Sequence, residues 1–249
     1  MEKLTGDNDL VYTRQRRITY AELDSSCKLG IAQAALLMQD TLTECFGQMK
    51  CDGFTFKQLG YFWVLTRSKV KFFQRPGWGE IIDTMSFPVR NTRTRTYFNT
   101  VLKDLQGHPL AFAYQEFCVL DLEKHRPVAL ADTPYPKEGF PEELFAPSYE
   151  KFTVAETEYK EIQEQTVRSG HLDMSHHLNN IECLKFALDA FPEEFLLTHE
   201  AEELELHYPG ESREGQKLRI FQTEQDGANF IKIKESERDV FEMKIRFRG

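Results

Sequence analysis

An order of elements that runs through the chain twice is the strongest constraint the sequence places on its fold. Residues 26–46, SCKLGIAQAALLMQDTLTECF, carry apolar side chains at Leu29, Ile31, Ala32, Ala35, Leu36, Met38, Leu42, Cys45 and Phe46. At the helical period these positions nearly encircle the axis, so the segment predicts a helix buried on most sides. Asp24 and Ser25 or Ser26 suit its N-cap, and Gly47 its C-terminal stop. Strand-like runs rich in aromatic and β-branched residues follow at 61–73, 80–89, 95–105 and 110–121, the last two joined by a turn at Gly107-His108-Pro109. A helix followed by several long antiparallel strands is an α+β pattern, with the sheet free to wrap the helix.

Residues 127–149 change character. Pro127, Pro134, Pro136, Pro141 and Pro147 suit an extended linker. Beyond it the order begins again: a strand at 159–167, a helix at 176–191 closed by Pro192, then strands at 203–208, 217–223, 229–236 and 239–247. Local echoes support a duplication. Asp24-Ser25-Ser26-Cys27-Lys28-Leu29 lines up with Asp173-Met174-Ser175-His176-His177-Leu178, and Pro76-Gly77 finds a counterpart in Pro209-Gly210. The expected organisation is one module at 1–126, a linker at 127–149 and a second module at 150–249. His177 stands where the first half has Lys28, which suggests that only the second half kept a chemistry.

The net charge is −9, which excludes a protein built as a whole to coat nucleic acid or an anionic membrane. No apolar run approaches the roughly 20 residues of a membrane helix. The first ten residues are polar and acidic, with neither a signal peptide's apolar stretch nor a transit peptide's Arg/Ser bias, so a cytoplasmic location is expected. Cys27, Cys45, Cys51, Cys118 and Cys183 are odd in number and unpaired in spacing; they read as reduced thiols, mostly small core residues.

Functional groups are densest at 171–180, HLDMSHHLNN. Asp173, Ser175 and His177 alternate at the predicted helix start, where Asp and Ser are also ordinary caps. Asp173 is four residues from His177 and could orient it and stabilise its charge. Backbone N–H groups at a helix N-terminus could polarise a carbonyl and hold an oxyanion. His171, His176 and His177 lack a standard metal-ligand spacing. Cys183 sits on an apolar helix face, where a structural thiol is the commoner fate. A second candidate is Glu211, in Tyr208-Pro209-Gly210-Glu211-Ser212, which matters only if the fold brings it beside His177.

These segments resemble those of plant and bacterial acyl-ACP thioesterases. HLDMSHHLNN is similar to that family's LDMNQHVNN, Trp63-Val64-Leu65-Thr66-Arg67 to its WVVTR, and Arg75-Pro76-Gly77-Trp78-Gly79-Glu80 to its YPxWGD. Residues 204–212, LELHYPGES, resemble its LEYRREC. The resemblance implies two tandem hot-dog modules, each a long helix wrapped by an antiparallel sheet. It further implies an acyl-chain pocket in the first, lined by its helix around Ala32 to Met38, and catalytic residues in the second. Asp173, His177 and Glu211 match the family's catalytic Asp, His and Glu. Ser175 replaces a catalytic Asn, and Ser212 stands where plant members carry a Cys.

The implied reaction is hydrolysis of a fatty acyl thioester on acyl carrier protein, with Glu211, Asp173 and His177 positioning and deprotonating a water. Backbone N–H groups near 177–179 would hold the oxyanion, and no metal or organic cofactor is needed. The implied partners are acyl carrier protein and the fatty acyl substrate, with no nucleic acid and no membrane span, in a monomer or homodimer. An acyl-CoA thioesterase and a non-catalytic acyl-binding protein stay open as alternatives.

Overall fold

The computed structural model describes residues 9–249, and the chain divides between Pro147 and Ser148 into two compact units. In the first, five antiparallel strands run in the order β1 (Tyr12–Arg17), β3 (Ile81–Asn91), β4 (Arg95–Lys103), β5 (Pro109–Asp121), β2 (Tyr61–Phe72), and the short β6 (Arg126–Pro127) pairs with β5. The long helix α1 (Ile31–Gln48) lies against β1, β3 and β4, and α2 (Gly53–Gln58) packs on β2. In the second unit the order is β8 (Glu200–His207), β11 (Arg238–Arg248), β10 (Ala228–Glu235), β9 (Lys217–Gln225), β7 (Lys160–Thr166). Its main helix is α3 (Asn180–Leu188), followed by α4 (Glu193–Thr198). Each unit is thus a helix on an antiparallel sheet, the α+β hot-dog architecture that the sequence implies.

Burial explains why α1 holds. Ile31, Ala34, Met38, Leu42, Cys45 and Phe46 are buried along it, while Leu36, expected inside, points outward. Phe46 stacks on Trp63 at 4.4 Å and meets Phe98 edge-on at 5.0 Å and Phe117 at 5.6 Å. Each such ring contributes roughly 1.5–3 kcal/mol by leaving water. Trp63 also donates its indole N–H to the carbonyl of Cys51 at 2.7 Å, so no polar group is stranded in the cluster.

Both principal helices begin later than the periodicity predicts, at Ile31 and Asn180 rather than 26 and 176. The residues before them close a tight loop around a left-handed residue, Cys27 at φ 58° and His176 at φ 62°, which a helix cannot include. The charged strand β1 escapes sequence reading because YTRQRR has no apolar alternation. The proline-rich stretch is extended but held down. Tyr135 is buried against Phe46 and Trp63, and Asn99 accepts from the N–H groups of Leu144 and Phe145 and donates to the carbonyl of Phe145. Among the described residues no helix is long and apolar enough to cross a membrane.

Candidate active site

The loop before α3 is built from its own backbone. Asp173 N–H donates to the carbonyl of His177 at 2.8 Å, His176 N–H to Asp173 at 3.1 Å, and Asn179 N–H to His171 at 2.9 Å. One carboxylate oxygen of Asp173 accepts from the N–H groups of Ser175 at 2.7 Å and His177 at 3.2 Å, an Asx-type turn. The side chain of Asn179 then caps α3 by accepting from Ile181 N–H at 2.8 Å.

The second segment of the site, the loop between β8 and β9, arrives from far along the chain. Leu178 N–H donates to the carbonyl of Ser212 at 2.7 Å, which sets Glu211 beside the loop. Nδ1 of His177 then lies 2.8 Å from a carboxylate oxygen of Glu211. Glu211 is 59% exposed and His177 22%, a pair open to water on the carboxylate side. The Glu211 segment is fixed on its other flank. Arg238 donates to the carbonyl of Glu211 at 2.7 Å, and a Cβ on Gly210 would meet the carbonyl of Asp239 at 2.8 Å.

Of the residues singled out in the sequence, His177 and Glu211 come together and Asp173 holds the loop under them through backbone contacts. The hydroxyl of Ser175 makes no hydrogen bond among the described residues. Ser212 is fully buried, its hydroxyl without a partner among the described residues, while the adjacent Glu211 side chain faces solvent; the two point to opposite sides. Cys183 is buried, and burial pushes its thiol up to about 12, so it supplies no thiolate near neutral pH. Nδ1 of His171 accepts from Arg168 N–H, and the His171 ring meets Phe186 edge-on at 5.0 Å. Among the described residues no three His, Cys, Asp or Glu side chains are grouped to hold a metal ion.

One expectation is corrected. The N–H groups of His177, Leu178 and Asn179, read as oxyanion donors, are spent on Asp173, Ser212 and His171. The loop must close on itself before the helix can begin, and closing it consumes those donors.

The first unit repeats the loop bond for bond. Asp24 N–H donates to Lys28 at 2.9 Å, Cys27 N–H to Asp24 at 3.0 Å, Leu29 N–H to Pro76 at 2.7 Å and Gly30 N–H to Glu22 at 2.9 Å. Pro76 therefore corresponds to Ser212, not to Pro209 as the match of Pro76-Gly77 with Pro209-Gly210 has it, and the duplicate of Glu211 is Arg75. The sequence reading missed this pairing; aligning the chain on Leu29 and Leu178 alone could not reveal it, because the partner strand's register is tertiary. Arg75 is buried, bonded to the Asp24 carboxylate, to the Leu29 carbonyl at 3.1 Å and to the Ser26 hydroxyl at 3.3 Å. Where the second unit pairs a histidine with a carboxylate, the first carries Lys28 and a buried guanidinium.

Comparison with known proteins follows the same division. The model of the acyl-ACP thioesterase N-terminal domain matches residues 9–135, and that of the acyl-ACP thioesterase C-terminal domain matches residues 154–248. Oleoyl-acyl carrier protein thioesterase 2, chloroplastic, of Arabidopsis thaliana is 24% identical over 216 residues, covering 76% of this chain and 58% of the relative. Oleoyl-acyl carrier protein thioesterase 1, chloroplastic, of the same plant is 26% identical over 180 residues, 66% of this chain and 49% of that one. The chain thus spans about half the length of the curated relatives it matches. Among solved structures, an acyl-ACP thioesterase from Bacteroides thetaiotaomicron superposes with a TM-score of 0.84 at 20% identity, covering 96% of this chain and 98% of that one. The 12:0-ACP thioesterase from Umbellularia californica gives 0.82 at 17%, covering 96% and 97%. At these identities the superpositions establish the shared fold.

Proposed function

The chain belongs to the acyl-ACP thioesterase family, and from that membership we propose that it hydrolyses the thioester of a fatty acyl chain on acyl carrier protein. The products are the free fatty acid and the carrier's thiol. The observation that supports this reading most is the 2.8 Å contact between His177 and Glu211.

In the proposed mechanism one oxygen of Glu211 is held by His177 Nδ1–H and the other takes a proton from a bound water. The hydroxide attacks the acyl carbon. The tetrahedral oxyanion collapses, and the departing thiolate recovers the proton from Glu211. Asp173 holds the loop that presents His177, and Ser175 supplies a hydroxyl to orient water or substrate. With the loop donors spent, a donor left for the oxyanion is the N–H of Asn180, the first residue of α3, which has no backbone acceptor among the described residues. The first unit, with α1 around Ala32 to Met38, holds the acyl chain.

The test measures free thiol and free acid from acyl-ACP and acyl-CoA side by side. Release from acyl-ACP is expected, with no burst of thiol and no acyl mass on quenched enzyme. Glu211→Gln should lower kcat by about two orders of magnitude, as for loss of a general base. A nearly fully active Glu211→Gln enzyme or an acyl group trapped on Ser175 would sink the mechanism. Turnover of acyl-CoA alone would move the carrier assignment, and binding without turnover would make this an acyl-binding protein.

A further inference from the structure

The face of the first unit's sheet that carries α1 holds a row of polar side chains inside an apolar core. Phe98 of β4 fixes the face, since it meets Phe46 of α1. Residues directly opposite each other on antiparallel strands share a face, as do residues two apart on one strand. Gln115 lies opposite Phe98, and Ser68 opposite Gln115. Thr100 is two residues from Phe98, and Ser86 lies opposite Thr100. Ser68, Gln115, Thr100 and Ser86 therefore run across β2, β5, β4 and β3 on one side, all buried.

Half of this row is satisfied. The hydroxyls of Ser86 and Thr100 are 2.9 Å apart, and Thr100 donates to the amide oxygen of Gln115 at 3.0 Å. The amide nitrogen of Gln115 and the hydroxyl of Ser68 make no hydrogen bond among the described residues, although the two residues are only 3% and 5% exposed. Neither polar atom is wholly sealed, so each stands at an opening that water or a ligand can reach. The neighbours are apolar: Ala113 and Val70 on one side, and on the other Phe117, which belongs to the aromatic cluster with Phe46 and Trp63. The helix lies chiefly on β1, β3 and β4, so Gln115 and Ser68, on β5 and β2, sit beside it rather than beneath it.

We propose that Ser68 and Gln115, backed by Thr100 and Ser86, form a polar station in the acyl-chain pocket, and that the preferred acyl chain carries a hydrogen-bonding oxygen, a hydroxyl or keto group, along its length. The Gln115 amide donates to that oxygen and the Ser68 hydroxyl donates or accepts. This rests on the reading that the protein hydrolyses acyl thioesters with the chain held in the first unit. Thr100 fixes the amide by occupying its oxygen, so that the N–H side faces the ligand.

The test uses the full-length protein and two measurements. One is kcat/KM for acyl-ACP substrates of equal length, one chain unsubstituted and the others bearing a single hydroxyl moved stepwise along the chain. The other is binding of the corresponding free acids. Wild type should favour one hydroxyl position over the unsubstituted chain by about tenfold, the scale of one hydrogen bond to a buried donor. Gln115→Leu, similar in volume, should bring that ratio close to one, and Ser68→Ala, the gentler change, should lower it severalfold. Hydrolysis with no preference for any hydroxyl position, or a preference that survives both substitutions, overturns the station and leaves the thioesterase reading intact. If no thioester is hydrolysed, that reading fails instead. The acids then decide the station: a tenfold binding preference lost in Gln115→Leu supports it, and equal binding refutes it.

Discussion

One oxygen of Asp173 accepts from two backbone N–H groups, those of Ser175 and His177, and an amide oxygen could accept the same two bonds. The role proposed for Asp173 is thus to hold the loop rather than to charge the imidazole. Asp173→Asn should keep kcat within about tenfold of wild type. Asp173→Ala, which frees both N–H groups, should lower it by roughly a hundredfold, the scale of losing the orientation of a catalytic group. Equal, large losses in both variants, with intact circular dichroism, would instead give the charge the leading part. Ser175 presents a different case. In the first unit the equivalent Ser26 hydroxyl is tied to Asp24 at 2.5 Å, whereas the hydroxyl of Ser175 makes no such bond. If it orients water or substrate, Ser175→Ala should lower kcat about tenfold, and Ser175→Asn, which restores the group the family usually has there, should keep or raise it.

At the level of elements, what could be read from the sequence was set by how local each signal is. The strands with aromatic and β-branched runs announce themselves, and so does α1, because burial imposes composition residue by residue. The Asp-x-Ser loop motif also shows twice. Its closure does not: it depends on a left-handed residue and on a loop segment more than thirty residues away, so both helix starts were placed four or five residues early and Arg75 was not paired with Glu211. The approach of Glu211 to His177 was legible only as a condition. Strand β1 was lost because its job calls for charge. It is the outermost strand of its unit's sheet, and charged side chains guard such an edge against pairing with another chain. Of the basic residues that could meet an acidic carrier protein, Arg95 is bound to Glu116, Arg90 to Tyr114, and Lys69 is buried. Arg16 is bound to Glu22 and Lys71 is half-buried, while Arg93 and, on β1, Arg14 and Arg17 remain exposed, Arg17 with one bond to the carbonyl of Gly79. Reversing both, Arg14→Glu with Arg17→Glu, should raise KM for acyl-ACP severalfold, less so at high salt, and leave a small soluble thioester unaffected. Equal KM values for acyl-ACP in variant and wild type would remove β1 from the docking surface.

Across the whole molecule, one loop design serves two ends, and the difference lies in the partner set opposite it. In the second unit Glu211 faces solvent and the half-buried His177 lies against it. In the first, the guanidinium of Arg75 is only 3% exposed and joined to Asp24, Leu29 and Ser26, which spends the Asp24 carboxylate on structure. Removing a buried partner strands the other charge, and because Asp24 is itself 31% exposed the cost is moderated by water, to about 2 kcal/mol. For a chain of this size that corresponds to a fall in melting temperature of roughly 4–8 °C. Arg75→Ala should therefore melt earlier while its kcat, corrected for the folded fraction, stays within twofold of wild type. Glu211→Gln should do the reverse, losing activity at an unchanged melting temperature, since its side chain is mostly in water. Measured together by calorimetry and acyl-ACP turnover, the two variants separate a copy of the loop kept for stability from one kept for chemistry. Loss of turnover in well-folded Arg75→Ala would mean that the first unit's loop also takes part in the reaction.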